Sequence, residues 1–201
     1  MEYKEKTKET YDNYAREYEE IKDENFVENY LKEDFEYFCK NLNGKEVLDL
    51  GSGPGNDSLK MKEQRLNPTC IDISQSMVKI CKEKGLKSQQ MDFENLDFKE
   101  NSFDGVWSRT SLLHMPKEKL PETLKQIREI LKPEGLFYIT MKEGNFEGFK
   151  QNSEFEGNER YFSLYQKEEI ENILSRFFEI IKSSKTKMDE NHAYLNFRCK
   201  N

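Results

Sequence analysis

The chain has 201 residues, 35% of them charged and 35% hydrophobic, with 14 Phe and 10 Tyr. That length suits one domain with a full hydrophobic core and leaves little room for two, and the composition excludes a disordered or low-complexity polymer. Lys and Arg number 32 against 39 Asp and Glu, a formal net charge of -7 with no basic block, which argues against a duplex or tRNA binder needing a basic stripe to displace counterions from phosphate.

Cys39, Cys70, Cys81 and Cys199 lie far apart without a C-x-x-C pair, and the chain has only two histidines. Reduced, buried thiols and no metal site are expected. Residues 1–6 lack the apolar core of a signal peptide, and no run approaches the ~18 apolar residues of a membrane span. A cytoplasmic protein with no membrane attachment is the expectation.

From Tyr3 the larger side chains recur at Thr7, Tyr11, Tyr14, Tyr18 and Ile21, a spacing that predicts one amphipathic helix. A second helix carries Phe35, Phe38, Cys39 and Leu42 and stops near Asn43-Gly44. Val47-Leu48-Asp49-Leu50 predicts a buried strand that enters Gly51-Ser52-Gly53-Pro54-Gly55 and then a helix over 56–65. Thr69-Cys70-Ile71-Asp72-Ile73 is the second strand; Ser74 caps a helix bearing Met77, Ile80 and Cys81, Gly85 ends it, and a third strand covers 86–91. Phe103-Asp104-Gly105-Val106-Trp107 is the fourth strand. After a loop comes a helix marked by Leu120, Leu124, Ile127 and Leu131, then a turn at Lys132-Pro133-Glu134-Gly135 and a fifth strand over 136–141. Residues 142–160 form the one long irregular segment, of the kind that makes lids or binding loops. Ile170, Ile173, Leu174 and Phe177 mark a last helix, and strands over 178–183 and 193–199 flank a polar turn at Asp189-Glu190-Asn191.

Strands alternating with helices predict an α/β fold: a doubly wound, mainly parallel seven-stranded sheet covered on both faces, closed by an antiparallel hairpin. The single domain divides into an N-terminal helical cap (1–43), a core (44–141), a lid insert (142–165) and a C-terminal helix and strand pair (166–201).

A glycine turn between a first strand and its helix lets backbone approach a ligand, because glycine has no Cβ and permits positive φ. The spacing here is Asp49-x-Gly51-x-Gly53-x-Gly55, whereas a dinucleotide fingerprint reads G-x-G-x-x-G; Asn56 stands at the place of its third glycine, which disfavours a dinucleotide-dependent oxidoreductase. Asp72, 21 residues after Gly51, ends the second strand where a carboxylate can accept two ribose hydroxyls. Together they point to adenosine recognition.

Val47 through Gly55, Ile71-Asp72-Ile73-Ser74, Gln90-Met91-Asp92-Phe93, Phe103 through Trp107 and Leu131-Lys132-Pro133-Glu134-Gly135-Leu136 resemble, in order, the signature segments of class I S-adenosylmethionine-dependent methyltransferases. Ser111-Leu112-Leu113-His114-Met115-Pro116 and Arg160-Tyr161-Phe162 are similar to small single-domain members of the type 11/25-like group. The resemblance implies a Rossmann-like fold and S-adenosyl-L-methionine as cofactor. Gly51, Gly53 and Gly55 would pass along its methionine moiety with Asp49 near the amino group, Asp72 would take the ribose, and Asp92 the adenine amino group with Phe93 beside the ring. Ser52, Asn56, Ile73 and Met77 complete the expected cofactor contacts, with Ser108 at the methionine end and Tyr11 and Tyr14 as covering residues. Ser52 replaces the cysteine or threonine of many relatives, and Pro133-Glu134-Gly135 replaces proline-glycine-glycine, both tolerable in turns.

The sulfonium methyl is already activated, so most of the rate gain comes from proximity and orientation, commonly ~7–11 kcal/mol; a base matters only when the acceptor starts protonated. His114 is the candidate for that base, or for an acceptor hydrogen bond, with Arg109 beside it. Bland readings compete: a structural hydrogen bond for His114, a turn cap for Asp92, a partner carboxylate for Arg109, and loop anchoring instead of a lid surface for Arg160, Tyr161 and Phe162. The expected activity is methyl transfer to an oxygen or nitrogen of a small molecule, by a monomer or homodimer, leaving S-adenosyl-L-homocysteine. The alternatives are a wobble-uridine-like tRNA methyltransferase and a non-catalytic S-adenosylmethionine-binding module.

Overall fold

Alternation along the strands decides which helices cover which face. In the computed structural model, which describes residues 1–21, 27–151, 158–190 and 192–201, β1 (Glu46–Leu50) turns Leu48 and Leu50 to one side and Val47 to the other, the two-residue period of a strand. β4 (Phe103–Arg109) sends Val106 with the first pair and Trp107 with Val47, and β5 (Leu131–Lys142) separates Phe137, Ile139 and Met141 from Leu136 and Tyr138 in the same way. The first face carries α6 (Leu120–Ile130) and α7 (Lys167–Leu174) through Leu124, Ile127, Ile170 and Leu174. The second carries α3 (Lys32–Asn41) and α4 (Asn56–Glu63) through Phe35, Phe38 and Met61. There Trp107 stacks on Tyr138 with ring centroids 3.9 Å apart and meets Phe35 edge-on at 5.4 Å.

With β2 (Asn67–Asp72), β3 (Lys87–Gln90), β8 (Glu179–Lys187) and β9 (Ala193–Lys200), the seven-stranded sheet runs β3-β2-β1-β4-β5-β9-β8. β1 to β5 pair in parallel, β9 is antiparallel to β5, and β8 is antiparallel to β9. This is the doubly wound sheet with a closing hairpin that the strand pattern predicts. Strand order reverses between β1 and β4, so the connections leaving their carboxyl ends part and open a crevice.

Three elements differ from expectation. The N-terminal stripe folds as two helices, α1 (Glu2–Asn13) and α2 (Ala15–Ile21), broken at Tyr14 with φ -117° and ψ 24°, where Asp12-Asn13-Tyr14 are weak helix formers. The turn at residues 132–135 is a bulge inside β5: α6 ends at Ile130, Phe103 pairs with Leu131 and Gly105 with Leu136, and Glu134 takes φ 66°. Part of the expected irregular insert is an antiparallel ribbon, β6 (Glu147–Gln151) with β7 (Glu159–Ser163). Phe149 faces Tyr161 across it, with ring centroids 5.4 Å apart, the kind of cross-strand aromatic pair that stabilises a short ribbon. Residues 152–157, Asn191 of the expected hairpin turn and the side chain of Ile21 lie outside the described residues. Among the described residues no helix is long and apolar enough to cross a membrane.

Gly105 shows how closely the second face is packed. A Cβ there would lie 2.6 Å from Phe38 Cζ and from Leu42 Cδ2, and Phe38 cannot retreat because its ring rests 5.1 Å from that of Trp107. Gly105→Ala should destabilise the fold by about 1–3 kcal/mol through overpacking, read as a lower urea midpoint at unchanged slope.

Candidate active site

The turn after β1 meets different demands at its three glycines. A Cβ on Gly51 would fall 2.3 Å from Ser111 Cβ, and one on Gly55 2.6 Å from Leu86 Cδ1 and 2.9 Å from Cys81 Sγ, so both are enforced by the protein's own packing. Gly53, at φ 54°, has nothing within 4 Å of its Cβ position. It faces a cleft of about 880 Å³, counting space open to solvent, within the ~300–1,000 Å³ usual for small-molecule sites. Gly51, Ser52, Gly53 and Asn56 line this cleft; Gly55 turns away from it.

Asp72, at the end of β2, forms the cleft floor with Ile73 beside it. Gly53 N–H donates to its Oδ2 at 2.9 Å and Ser74 N–H to its Oδ1 at 2.8 Å. Burial pushes its pKa up to about 6 despite these bonds. Each oxygen retains acceptor capacity for a further donor.

At the β1 end of the cleft, Asp49 accepts from Ser58 Oγ at 2.7 Å, and burial, with Cys70 and Asp57 close by, raises its carboxyl well above the usual range. Asn56 Oδ1 accepts from Lys84 Nζ at 2.9 Å; since an ammonium only donates, the amide orientation is set. Asn56 Nδ2 is then a buried donor at the cleft with no hydrogen-bond partner among the described residues. Arg109 lines the cleft and grips Asp57 with two bonds, Nε to Oδ2 at 2.6 Å and Nη2 to Oδ1 at 2.9 Å, while Trp107 Nε1 donates to the same Oδ2 at 2.8 Å. Burial opposes the guanidinium charge, but Asp57 holds it protonated above its ordinary range. Thr110 follows with φ 56°, a strained conformation for a β-branched residue.

At the opposite end stand Asp92 and Phe93. Asp92 Oδ1 accepts from Glu94 N–H at 2.9 Å, the cap reading, and its Oδ2 accepts from Lys4 Nζ at 2.5 Å. Helix α1 roofs the cleft with Tyr3, Lys4, Thr7 and Tyr11, and Tyr18 of α2 extends that wall.

His114 reaches the cleft from the turn after β4. Its Nδ1 lies 2.7 Å from the carbonyl of Tyr161, which can only accept, so Nδ1 carries the hydrogen. In the neutral ring Nε2 is therefore an acceptor, and the Tyr11 hydroxyl, 2.9 Å away, donates to it. Arg160 Nη1 in turn donates to Tyr11 Oη at 2.8 Å.

Several expected residues lie elsewhere. Met77 is buried between α5 (Gln75–Glu83) and Ala15 of α2, where it packs and does not face the cleft. Ser108 is fully buried and meets Ser111 Oγ at 2.8 Å, and it is Ser111, donating to Leu50 O at 2.6 Å, that lines the cleft. Tyr14 accepts from Asn158 Nδ2 at 2.8 Å, away from the lining. Arg160, Tyr161 and Phe162 stand behind the roof: Tyr161 N–H donates to Thr7 Oγ1 at 3.1 Å, and the Phe162 ring contacts His114 at 4.7 Å. The ribbon is thus tied to α1. Lys4, Thr7, Tyr18, Asp57, Glu94 and Thr110 line the cleft without having been singled out. Spacing carried a signal for the first three: 4, 7, 11 and 18 fall on one helical face.

A family model described as a methyltransferase domain matches residues 47–135, from β1 into β5. Phosphoethanolamine N-methyltransferase of Plasmodium falciparum is 32% identical over 146 residues, 67% of this chain and 53% of that protein. A tRNA (carboxymethyluridine(34)-5-O)-methyltransferase of Arabidopsis thaliana is 32% identical over 103 residues, 49% of this chain and 24% of that protein. The chain thus spans about half or less of the length of these curated relatives. Among solved structures, Burkholderia thailandensis 1,6-didemethyltoxoflavin-N1-methyltransferase, with bound 1,6-didemethyltoxoflavin and S-adenosylhomocysteine, has a similar fold: TM-score 0.66 at 21% identity, covering 93% of this chain and 90% of that one. Residues 47–135 are thus a methyltransferase domain, and the order of the signature segments across it is that of the class I S-adenosylmethionine-dependent methyltransferases.

Proposed function

We propose that the protein transfers the methyl group of S-adenosylmethionine to an oxygen or nitrogen of a small molecule. The observation that carries this reading is the Asp72 carboxylate held between Gly53 N–H and Ser74 N–H on the floor of an open cleft. Two further features fit the cofactor: the free space over Gly53 and the orphan Asn56 Nδ2 donor, matched to a carboxylate. Asp72 would hold the ribose, Asp49 the methionine amino group, and Asp92 with Phe93 the adenine. Bound there, the cofactor supplies an activated methyl on a sulfonium.

The protein's share is chiefly positioning and exclusion of water under α1. For an acceptor that begins protonated, His114 can act through Tyr11: the acceptor proton passes to Tyr11 Oη as the Tyr11 proton passes to His114 Nε2. Arg109 is already neutralised by Asp57 and so provides no free cation for an acidic acceptor at that position.

A tRNA acceptor is the second reading, favoured by the Arabidopsis relative. Against it, the described residues that line the cleft include Asp49, Asp57, Asp72, Asp92 and Glu94 and, as cations, Lys4 and Arg109, a poor match to a polyanion. A gel shift at moderate salt separates the two.

Asp72→Ala and Gly53→Val are each expected to weaken S-adenosylhomocysteine binding more than about a hundredfold by calorimetry, the first through two lost charge-assisted hydrogen bonds and the second through a side chain in the cofactor's path. Unchanged affinity in both refutes the site.

Affinity should also depend on pH. Asp72 rises from an ordinary 3.8 to about 6 in the folded protein, so between those values the empty site holds a proton that the unfolded chain has lost, and stability falls as pH rises through that window. Ribose hydroxyls need the ionised carboxylate as acceptor, so binding releases this proton. Calorimetry should show S-adenosylhomocysteine affinity level above pH 6 and falling by up to about tenfold per unit below it; a flat profile from pH 5 to 7 contradicts the role given to Asp72.

A further inference from the structure

Lys4 sits in the first turn of α1, above the cleft end that holds Asp92 and Phe93, and no signature segment includes it. Its ammonium lies 2.5 Å from Asp92 Oδ2 and 3.0 Å from Glu94 Oε2, with 16% of the side chain exposed. Burial works against its charge, but the two carboxylates raise its pKa above the ordinary lysine range, so it is positive at neutral pH. Glu94 is a fixed anchor. The Tyr3 hydroxyl donates to its Oε1, Lys119 Nζ lies 3.1 Å from Oε2, and Gln126 Nε2 donates to its backbone oxygen at 2.9 Å.

Asp92 belongs to residues 91–102, which form no helix or strand, so its carboxylate owes its orientation to one backbone and one side-chain donor. Glu94 N–H holds Oδ1 and Lys4 holds Oδ2. A carboxylate offers about four acceptor directions, so this pair orients the group and leaves it able to accept again. The roof does not depend on Lys4 alone: Asp12 Oδ1 accepts from Ser74 Oγ at 2.7 Å and from Ser76 N–H at 3.1 Å, and Thr7 holds Tyr161. What Lys4 alone provides among these ties is a direct bond from the roof to Asp92.

Resting on the cofactor proposed above, we propose that Lys4 is a positioning residue for base recognition: it aims the Asp92 carboxylate at the exocyclic amino group of adenine and links that contact to closure of α1 over the nucleoside. Rigid placement of an acceptor avoids the ordering cost that a free loop carboxylate would pay on binding.

The test titrates wild type, Lys4→Ala, Lys4→Gln and Lys4→Arg with S-adenosylhomocysteine and with S-inosylhomocysteine, whose ring carries oxygen in place of the amino group. Wild type should prefer the adenosyl ligand by about tenfold, the scale of one hydrogen bond to a charged group. Lys4→Ala and Lys4→Gln should lose that preference, with little change in affinity for the inosyl ligand, and Lys4→Arg should restore it. A merely structural role weakens both ligands alike and keeps the ratio; that result, or unchanged affinities, overturns the proposal. Thermal unfolding of each variant identifies a folding defect, in which case the ratio in the folded substitutions decides. A wild type that binds neither ligand sinks the cofactor reading and this inference with it.

Discussion

The geometry of the cleft depends on a buried carboxylate that has no cation bonded to it among the described residues. Asp72 receives N–H groups from the glycine turn and from the start of α5, so one side chain joins β2 to the elements that follow β1 and β2. The turn has two other ties to the same strand, Gly51 and Ser52 N–H to Ile71 O at 2.9 and 3.0 Å. Backbone dipoles orient the carboxylate without neutralising it, and the raised pKa records the remaining demand. A neighbouring lysine would relieve that demand in the empty protein. Leaving it unmet reserves the acceptor for a ligand with hydroxyl donors, the usual reason for strongly shifted groups in clefts.

The opposite solution is used two strands along the sheet, at the end of β4. Arg109 and Asp57 satisfy each other bidentately, and Trp107 adds its indole N–H to the same carboxylate. Trp107 is also the ring on which Tyr138, Phe35 and Phe38 pack. This pair therefore couples the cleft wall to the core of the second face, and the positive charge that the sequence offers at position 109 is spent inside the protein. The acceptor side of the cleft is left to phenols, hydroxyls and the imidazole.

The sheet was legible because its signals are local. Short apolar runs alternate with helices, the first enters a glycine turn and the second a helix capped by Ser74, and Asp72 stands 21 residues after Gly51, so the doubly wound fold class and the expected cofactor end followed from spacing. Residues whose role is settled by distant partners were not legible in the same way. Ser108 follows an apolar strand toward the cleft in sequence, yet Ser111 fills the cleft position because Gly51 leaves room for it. Met77 shares a helix face with Ile80, and that face packs on Ala15, a contact that no periodicity within α5 specifies. The ribbon of β6 and β7 was hidden because Phe149 is the one large apolar side chain of β6, Tyr161 and Phe162 of β7 are adjacent without a strand's alternation, and the pairing of Phe149 with Tyr161 joins residues distant in sequence.

The roof explains why the N-terminal stripe is aromatic and polar at once. Its fully apolar alternative would seal α1 to the sheet and close the cleft permanently. Instead α1 makes polar ties to the body through Lys4, Thr7, Tyr11 and Asp12, bonded to Asp92, Tyr161, His114 and Ser74 respectively. Polar ties of this kind are individually modest, since each exchanges water for a protein partner. Because each tie pairs a particular donor with a particular acceptor, together they fix the register of α1 over the cleft, and Tyr3 adds a buried ring to the main apolar cluster.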